Sequence, residues 1–195
     1  MRGMSLSTEI DGRRRRGQDN RARIVAAMLD LIREGAMTPS AEQVAARAEV
    51  GLRTVFRHFD DMDSLYREMS GFIEAELRAI VERPFAATDW QGRLAELVER
   101  RGEAFERISP FKRASDTVRH RSRFLAGDHG KLATALRGLL MAVLPPEIAA
   151  DPLKLEALDL LTSFEAWTRL RLDQGLSPDK ACEVLQSAVL KVAGP

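Results

Sequence analysis

The chain has 195 residues, of which 45% are hydrophobic and 30% charged, and its formal net charge is only +1 at neutral pH. This balance indicates a globular protein large enough to bury a substantial core, and it excludes a polyelectrolyte. Aromatic residues make up 6% of the chain, and alternating β-branched runs are scarce, so helices are favoured over sheet.

The chain has one cysteine, Cys182, which excludes an internal disulfide and offers no cysteine cluster to a metal ion. No segment has the apolar core of a signal peptide, and no window reaches the length of a membrane span. We therefore expect a cytoplasmic protein that does not enter a membrane.

Residues 1–18 are polar, show no periodicity and include the run Arg13–Arg16. We expect a flexible basic arm. Such a run could follow DNA phosphates or enter a minor groove, as basic arms do in other DNA-binding proteins. A solvated tail that aids solubility is an equally good interpretation, and the sequence leaves both open.

The first predicted helix runs from Asn20 to Glu34 and ends at Gly35, a residue typical of the position after a helix. Its apolar side would pack under the helices that follow. Apolar residues that share this side are Ile24, Val25, Met28, Leu31 and Ile32.

The segment Pro39–Phe59 divides into two short helical patterns separated by a turn. In the first pattern Ser40 is the predicted N-cap, and Gln43 completes a capping box three residues later. The turn contains Gly51, and the second pattern begins at Leu52. Two short helices with a tight glycine-containing turn predict a helix-turn-helix, whose second helix can lie in a DNA major groove.

The spacing of the second helix predicts which side chains are buried and which are exposed. The inward set is Leu52, Val55, Phe56 and Phe59. The outward set is Arg53, Thr54, Arg57 and His58. Arg53 is the best candidate to read a base, because arginine can bond to guanine O6 and N7 together.

Twelve residues in and just after the two short helices match the sequence pattern of one family of helix-turn-helix domains. They are Val44, Ala45, Ala48, Val50, Thr54, Val55, Phe56, His58, Phe59, Asp63, Ser64 and Leu65. With them, the run from Ile24 to Leu65 resembles the DNA-binding domain of TetR/AcrR-type transcriptional regulators. The chain departs from the family pattern at Glu49, where a turn glycine is usual, and at Gly51, where a serine cap is usual. Arg53 replaces a common glycine, and Met62 replaces a lysine that usually touches phosphate.

The helix-turn-helix and the resemblance together predict a set of DNA-binding residues: Thr38, Ser40, Gly51, Arg53, Thr54, Phe56, Arg57 and His58. The resemblance implies that Thr54 and His58 grip phosphates and that Phe56 stands where the family has tyrosine. A hydroxyl at Thr38 or Ser40 would meet a phosphate beside free helix N–H groups. The alternative is that these are ordinary solvated residues of an amphipathic helix.

A long helix is predicted from Asp61 to Val81 or Arg83, where Pro84 follows. It would connect a helix-turn-helix domain at residues 19–66 to a C-terminal domain at residues 67–195. Further helices are predicted over Trp90–Ile108 (stopped by Ser109 and Pro110), over a shorter segment from Phe111 to Arg123, and over Phe124–Leu144, Asp151–Gln174 and Ser177–Val192. The predicted fold class is therefore all-α.

The last two predicted long helices carry more apolar residues than one buried stripe requires. Leu153, Ala157, Leu160, Phe164 and Trp167 form one stripe, and Leu158, Leu161 and Leu172 form a second. Such helices can form a four-helix bundle with a second copy of the chain, and the resemblance implies the same homodimer. The alternative is a helix buried on all sides within one subunit.

Five aromatic residues could line a cavity between the long helix and the C-terminal helices: Phe72, Phe105, Phe111, Phe124 and Trp167. Pockets between helices are mostly apolar with a few polar anchors. Arg169, or alternatively Arg119 or Arg171, would anchor an acidic small-molecule effector. Taken singly, each of these aromatic residues is more often a core residue than part of a ligand site.

No catalytic constellation or nucleotide-binding loop is present, and the spacing of His120, Asp128 and His129 fits no zinc signature. We expect no enzyme activity, no cofactor and no metal. The sequence predicts a ligand-responsive repressor that binds a palindromic DNA operator as a homodimer. Two alternatives stay open: a DNA-binding regulator controlled by a protein partner, and a helical-bundle adaptor that does not bind DNA.

Overall fold

The computed structural model describes the backbone of residues 5–194 and the side chains from Gly17 onward, except those at positions 121, 123 and 128. This part of the chain is all-helical, as predicted, and contains no strand. The helices are α1 (Ser5–Arg33), α2 (Ala41–Arg47), α3 (Leu52–His58), α4 (Met62–Val81), α5 (Trp90–Val118), α6 (Arg123–Val143), α7 (Pro146–Ala149), α8 (Pro152–Leu161), α9 (Phe164–Thr168) and α10 (Pro178–Ala193).

The chain divides into two compact units. The first unit contains the chain up to Ile73 together with Pro110–Leu125, and the second contains Glu74–Ser109 and the chain from Ala126 onward. This division differs from the contiguous domains expected at residues 19–66 and 67–195. The physical reason is burial, because Phe111 and Ala114 of α5 belong to the hydrophobic core of the first unit.

In the first unit, the apolar side of α1 forms one core with α2, α3 and α4. The core residues include Ile24, Met28, Ile32, Val44, Ala45, Val55, Phe59, Leu65 and Met69, all of which are buried. Gly35 follows α1 with a backbone φ of 101°, a left-handed conformation that glycine adopts without strain. The predicted end of the first helix is therefore confirmed.

Helix α1 begins at Ser5, well before the predicted start at Asn20. The expectation of a flexible arm over residues 1–18 disagrees with the helical backbone from residue 5. Arginine is among the best helix formers, and this segment contains no proline, so helix can form here without an apolar face. The side chains of Arg13–Arg16 lie outside those that the structure describes.

Helix α5 runs through Pro110, where the sequence predicts a stop. A proline inside a helix removes one backbone hydrogen bond and costs about 3 kcal/mol. The helix continues because residues on both sides of Pro110 are buried, among them Ile108, Phe111 and Ala114. Local sequence rules cannot anticipate this compensation.

The predicted helix from Asp151 to Gln174 is interrupted. Its start is confirmed, because the Asp151 carboxylate accepts hydrogen bonds from the N–H groups of Leu153 (3.0 Å) and Lys154 (3.1 Å). The break falls at Thr162, whose carbonyl accepts a hydrogen bond from the Arg101 guanidinium at 2.7 Å. Ser163 then caps α9, and a π-helical turn over Arg169–Asp173 precedes Gly175, which has a φ of 68°.

The core of the second unit contains Leu94, Leu97, Val98, Phe105, Leu140, Leu158, Trp167, Leu185 and Val189. Not all apolar residues of α8 and α10 are covered within the chain. Leu153 is 82% exposed, Leu160 67% and Val184 38%. Leu153 and Leu160 lie seven positions apart, and thus on one face of α8.

In residues 5–194, no helix has the length and apolar character to cross a bilayer.

Candidate nucleic-acid interface

The two helices of the predicted helix-turn-helix are present as α2 and α3. The N–H of Gln43 donates to the Ser40 hydroxyl at 3.3 Å, and the Gln43 side-chain oxygen accepts from the Ser40 N–H at 2.8 Å. This confirms the predicted capping box. In the turn, Glu49 has a φ of 53°, the left-handed conformation that a glycine would adopt more easily.

The exposed face of α3 is rotated relative to the sequence prediction. Val55 and Phe59 are buried as expected, but Leu52 is 37% exposed and Phe56 49% exposed. Thr54, predicted to point outward, is only half-exposed. We call the exposed side of this helix, formed by Leu52, Arg53, Phe56 and Arg57, the outer face of α3.

The prediction was wrong about Leu52 and Phe56 because it began the first helix at Asn20 and so left out the part of α1 that lies beside α3. The Cε1 atom of His58 lies 3.9 Å from the position that a β-carbon on Gly17 would occupy. The α1 backbone therefore covers the side of α3 that carries His58. The apolar residues on the opposite side of α3 are left open.

Arg53 and Arg57 are exposed, and within the described part of the chain neither forms a hydrogen bond or an ion pair. Three nearby arginines differ from them, because Arg21, Arg23 and Arg47 each bind a carboxylate. The outer face of α3 therefore presents two uncompensated positive charges. An unpaired arginine can offer its whole fork of donors to a phosphate or a base edge.

Arg21 holds the end of α3 through several contacts at once. Its guanidinium donates to the Glu68 carboxylate at 3.1 and 2.9 Å and to the His58 carbonyl at 2.8 Å. It also lies 4.5 Å from the centre of the Phe59 ring. One side chain of α1 thus joins the end of α3 to α4.

Arg23 and Arg47 support the other parts of the motif. Arg23 donates to the Ala48 carbonyl at 2.6 Å, at the C-terminal end of α2. Arg47 binds the Glu34 carboxylate through two hydrogen bonds of 2.7 and 2.5 Å. The structural roles of Arg21, Arg23 and Arg47 were not predicted from the sequence. The feature of the sequence that could have indicated these roles is position, because Arg21 and Arg23 lie just before Ile24, where the buried face of α1 begins.

His58 is turned towards the interior. Its Nε2 atom is buried and has no hydrogen-bond partner among the described residues. Burial lowers the pKa of the imidazole, and the positive charges of Arg57 and Arg21 lower it further, so His58 is neutral at pH 7. A phosphate contact from Nε2 would require the ring to turn outward.

The remaining predicted DNA-binding residues are accessible. Thr38, Ser40 and Gly51 are exposed. The Ser40 hydroxyl oxygen already accepts the capping hydrogen bond, but its proton remains available to an acceptor. Gly51 begins α3 without a side-chain cap. Met62, where the family pattern has lysine, packs partly buried against the core of the first unit.

The residues predicted to bind an effector are divided between the two units. In the first unit, Phe111 is buried under the Arg33 guanidinium, Phe124 lies under that of Arg67, and Phe72 is 48% exposed.

In the second unit, Phe105 packs edge-on against Phe164 at 5.4 Å and lies 6.5 Å from Trp167. Arg169 is largely exposed and pairs with Asp173 at 3.6 Å.

Among the described residues, no group of three or more His, Cys, Asp or Glu could hold a metal ion.

The second unit contains a cavity of about 170 Å³. Phe105 lines it, together with Ile80 and Val81 at the C-terminal end of α4. Three arginines also line it: Arg93, Arg100 and Arg101. The cavity thus combines apolar walls with positive charge.

Comparison with known proteins establishes the fold. No family model matches the chain, and no curated protein matches it. A proposed transcriptional regulator from Streptomyces coelicolor A3(2) is similar in structure, with a TM-score of 0.65 and 21% identity over 90% of this chain and 99% of that one. A transcriptional regulator from Rhodococcus sp. Rha1 is also similar, with a TM-score of 0.66 and 20% identity over 88% and 96% of the two chains.

Proposed function

We propose that this chain is a DNA-binding transcriptional regulator of the TetR/AcrR type. The observation that carries the proposal is the outer face of α3, where Arg53 and Arg57 are exposed and unpaired on a helix held in place by Arg21. Both structural neighbours are described as transcriptional regulators, in one case as a proposed one, and this supports the assignment.

The proposed mechanism places α3 of each subunit in a DNA major groove, with Arg53 reading a base and Arg57 binding phosphate. Thr38, Ser40, Gly51 and Thr54 would contact the backbone. The exposed apolar atoms of Phe56 and Leu52 would pack against sugars or a thymine methyl group. Apolar contact at these two positions adds to the polar contacts predicted from the sequence.

We further propose that the protein binds a palindromic operator as a homodimer. The exposed Leu153, Leu160 and Val184 support this, because large apolar side chains on helices of one unit are typical of a surface that a second copy covers. Two-fold symmetry would then place the two α3 helices on successive half-sites.

We propose that a small-molecule effector releases the protein from DNA, which makes it a repressor. The cavity of the second unit is the proposed effector site, and of the residues predicted from sequence it retains Phe105. Ile80 and Val81 line this cavity and belong to α4, which begins four residues after α3 ends. An effector can change DNA affinity only as far as it prefers one arrangement of α4 over another.

The experiment that tests this function begins with selection of binding sites from random DNA by the full-length protein. The affinity of Arg53→Ala for the selected site is then compared with that of the wild type. We expect a loss of about 1–3 kcal/mol, confined to sites that carry the preferred base, because a bidentate base contact is lost. Arg107→Ala is the matched control, since Arg107 is an exposed arginine of the second unit paired with Glu103.

Arg107→Ala removes the same charge and should leave specific binding unchanged. An equal loss in both variants would mean that only net charge matters. If selection returns no enriched sequence, the proposed regulator function is wrong and the adaptor alternative gains support.

A further inference from the structure

We infer that the cavity of the second unit is a binding site for a small amphipathic carboxylate. This inference rests on the proposed function, because it names the chemical class of the effector. The wall of the cavity contains three arginines and, among the described lining residues, no acidic side chain. All other lining side chains are apolar, among them Ile80, Leu97, Phe105, Leu136, Leu139 and Val143.

The burial of Arg101 and the lack of a carboxylate bound to it are the main reasons for this inference. Its side chain is 95% buried, with 5% exposed, yet it forms no ion pair in the described part of the chain. Its guanidinium donates to the carbonyl and hydroxyl oxygens of Thr162 and to the Leu136 carbonyl, and its Nε has no hydrogen-bond partner. Burial lowers the pKa of Arg101 to about 10, so it remains a cation at neutral pH.

No carboxylate binds Arg101 directly in the described part of the chain. Asp159 attracts it from beyond ion-pair distance, and the Asp159 carboxylate is bound by Arg137 at 3.0 Å, which also binds Glu156. A buried cation without a directly bound carboxylate is unfavourable, because the low dielectric of the interior does not replace the solvation by water that the charge has lost. A ligand carboxylate would supply the directly bound negative charge that Arg101 lacks.

Arg100 differs from Arg101 and shows what a satisfied arginine looks like in the same wall. It pairs with Glu96 at 3.4 Å, donates to the carbonyls of Arg83 and Pro84, and stacks 3.8 Å from the centre of the Phe85 ring. Arg93 is exposed and donates to the Ala87 carbonyl at 3.1 Å. Arg93 adds positive potential near the cavity, and Arg101 is the buried arginine of the wall to which no carboxylate is directly bound.

The size of the cavity sets the size of the ligand. Its volume of about 170 Å³ is close to the roughly 150 Å³ of apolar cavities that hold a benzene-sized molecule. An acid with an apolar part of that size fits, and hexanoate is therefore the probe. Its chain would lie against Leu97, Phe105 and Leu139, and its carboxylate near Arg101.

The first test measures binding of hexanoate, hexan-1-ol and hexylamine to the full-length protein without DNA, by isothermal titration calorimetry. We expect hexanoate to bind about ten- to a hundredfold more tightly than hexan-1-ol, since it adds a charge-assisted interaction. Hexylamine should not bind measurably. Equal binding of acid and alcohol, tighter binding of the amine, or no binding of hexanoate would each overturn the inference.

The second test locates the site. Ala142→Trp adds bulk at an exposed lining position and should abolish hexanoate binding, while Met141→Trp, an adjacent position outside the lining, should retain it. Arg101→Met should lose the preference for acid over alcohol, with Arg107→Met as its charge-matched control. If hexanoate binds Ala142→Trp as well as it binds the wild type, the site lies elsewhere and the inference is wrong.

These measurements use no DNA, so their outcome is separate from that of the proposed regulator function. A protein that binds hexanoate but selects no DNA sequence keeps the carboxylate site and loses the proposed function. A protein that selects a DNA sequence but binds no hexanoate keeps the proposed function and loses the carboxylate site.

Discussion

The contacts of Arg21 predict how much the support of α3 contributes to stability. Three contributions can be separated from the structure. The ion pair with Glu68 is exposed, at 41% and 43% of the two side chains, and such pairs contribute about 0.2–1 kcal/mol. The hydrogen bond to the His58 carbonyl is partly buried and contributes about 1 kcal/mol, and the contact with the Phe59 ring contributes about 0.5–1 kcal/mol.

Arg21→Ala should therefore lower the free energy of unfolding by about 2 kcal/mol, since all three contributions are lost. Glu68→Gln should lower it by only about 0.5 kcal/mol, because it removes the ion pair alone. The measurement is urea unfolding of the full chain followed by far-ultraviolet circular dichroism. Arg78→Ala is the control, since Arg78 has an exposed ion pair with Glu82 at 3.9 Å and should change stability by less than about 0.5 kcal/mol.

The reasoning is refuted if Glu68→Gln costs as much as Arg21→Ala. That result would mean that the ion pair, and not the contacts with the end of α3, provides the stabilisation. It is also refuted if Arg21→Ala is no worse than Arg78→Ala, because the three contacts would then contribute nothing beyond an exposed charge.

Two further predictions concern the turn of the motif and the pH dependence of the second unit. Glu49→Gly should raise the free energy of unfolding, measured in urea, by about 0.5–1 kcal/mol, because glycine adopts the positive φ at this position without strain. A decrease would mean that the loss of the 3.5 Å ion pair between Glu49 and Arg23 outweighs the relief of strain. Hydrogen bonds from Arg171 and from the Trp167 indole lower the pKa of the Glu106 carboxyl below 4.5. The stability that the ionised Glu106 carboxylate contributes is therefore present above pH 4.5, and it is lost as the pH falls through the lowered pKa. Glu106→Gln should flatten the acid limb of a stability–pH curve, and an unchanged slope would contradict this assignment.

Local sequence rules were sufficient where a helix end depends on its own neighbours. The cap at Ser40, the cap at Asp151 and the stops at Gly35 and Gly175 were all predictable, because each involves residues a few positions apart. The all-α fold class follows from the same kind of information.

Tertiary contacts explain what the sequence could not predict. The outer face of α3 is set by α1, so Phe56 is exposed although its spacing suggests burial. At the helix break, the Thr162 carbonyl accepts a hydrogen bond from Arg101, which is sixty-one positions away in the chain. The effector residues chosen for their aromatic character largely serve the cores of the units, as Phe111 does in the first unit.

In the candidate site, too, the role of an arginine depends on tertiary contacts. From sequence, Arg21 and Arg53 are both basic residues in a predicted DNA-binding region. In the folded chain Arg21 is occupied by Glu68 and His58, while Arg53 has no partner among the described residues. Partners that are distant in sequence therefore separate a supporting arginine from one available to a ligand.

The central claim is that the outer face of α3 recognises a specific DNA sequence. The most direct measurement is a nuclease footprint of the full-length protein on genomic fragments that surround its own gene, at two salt concentrations and with nonspecific competitor DNA. We expect protection of an inverted repeat that survives both the competitor and the higher salt. Binding that ignores sequence and disappears with salt would reflect phosphate attraction alone, and it would contradict the claim.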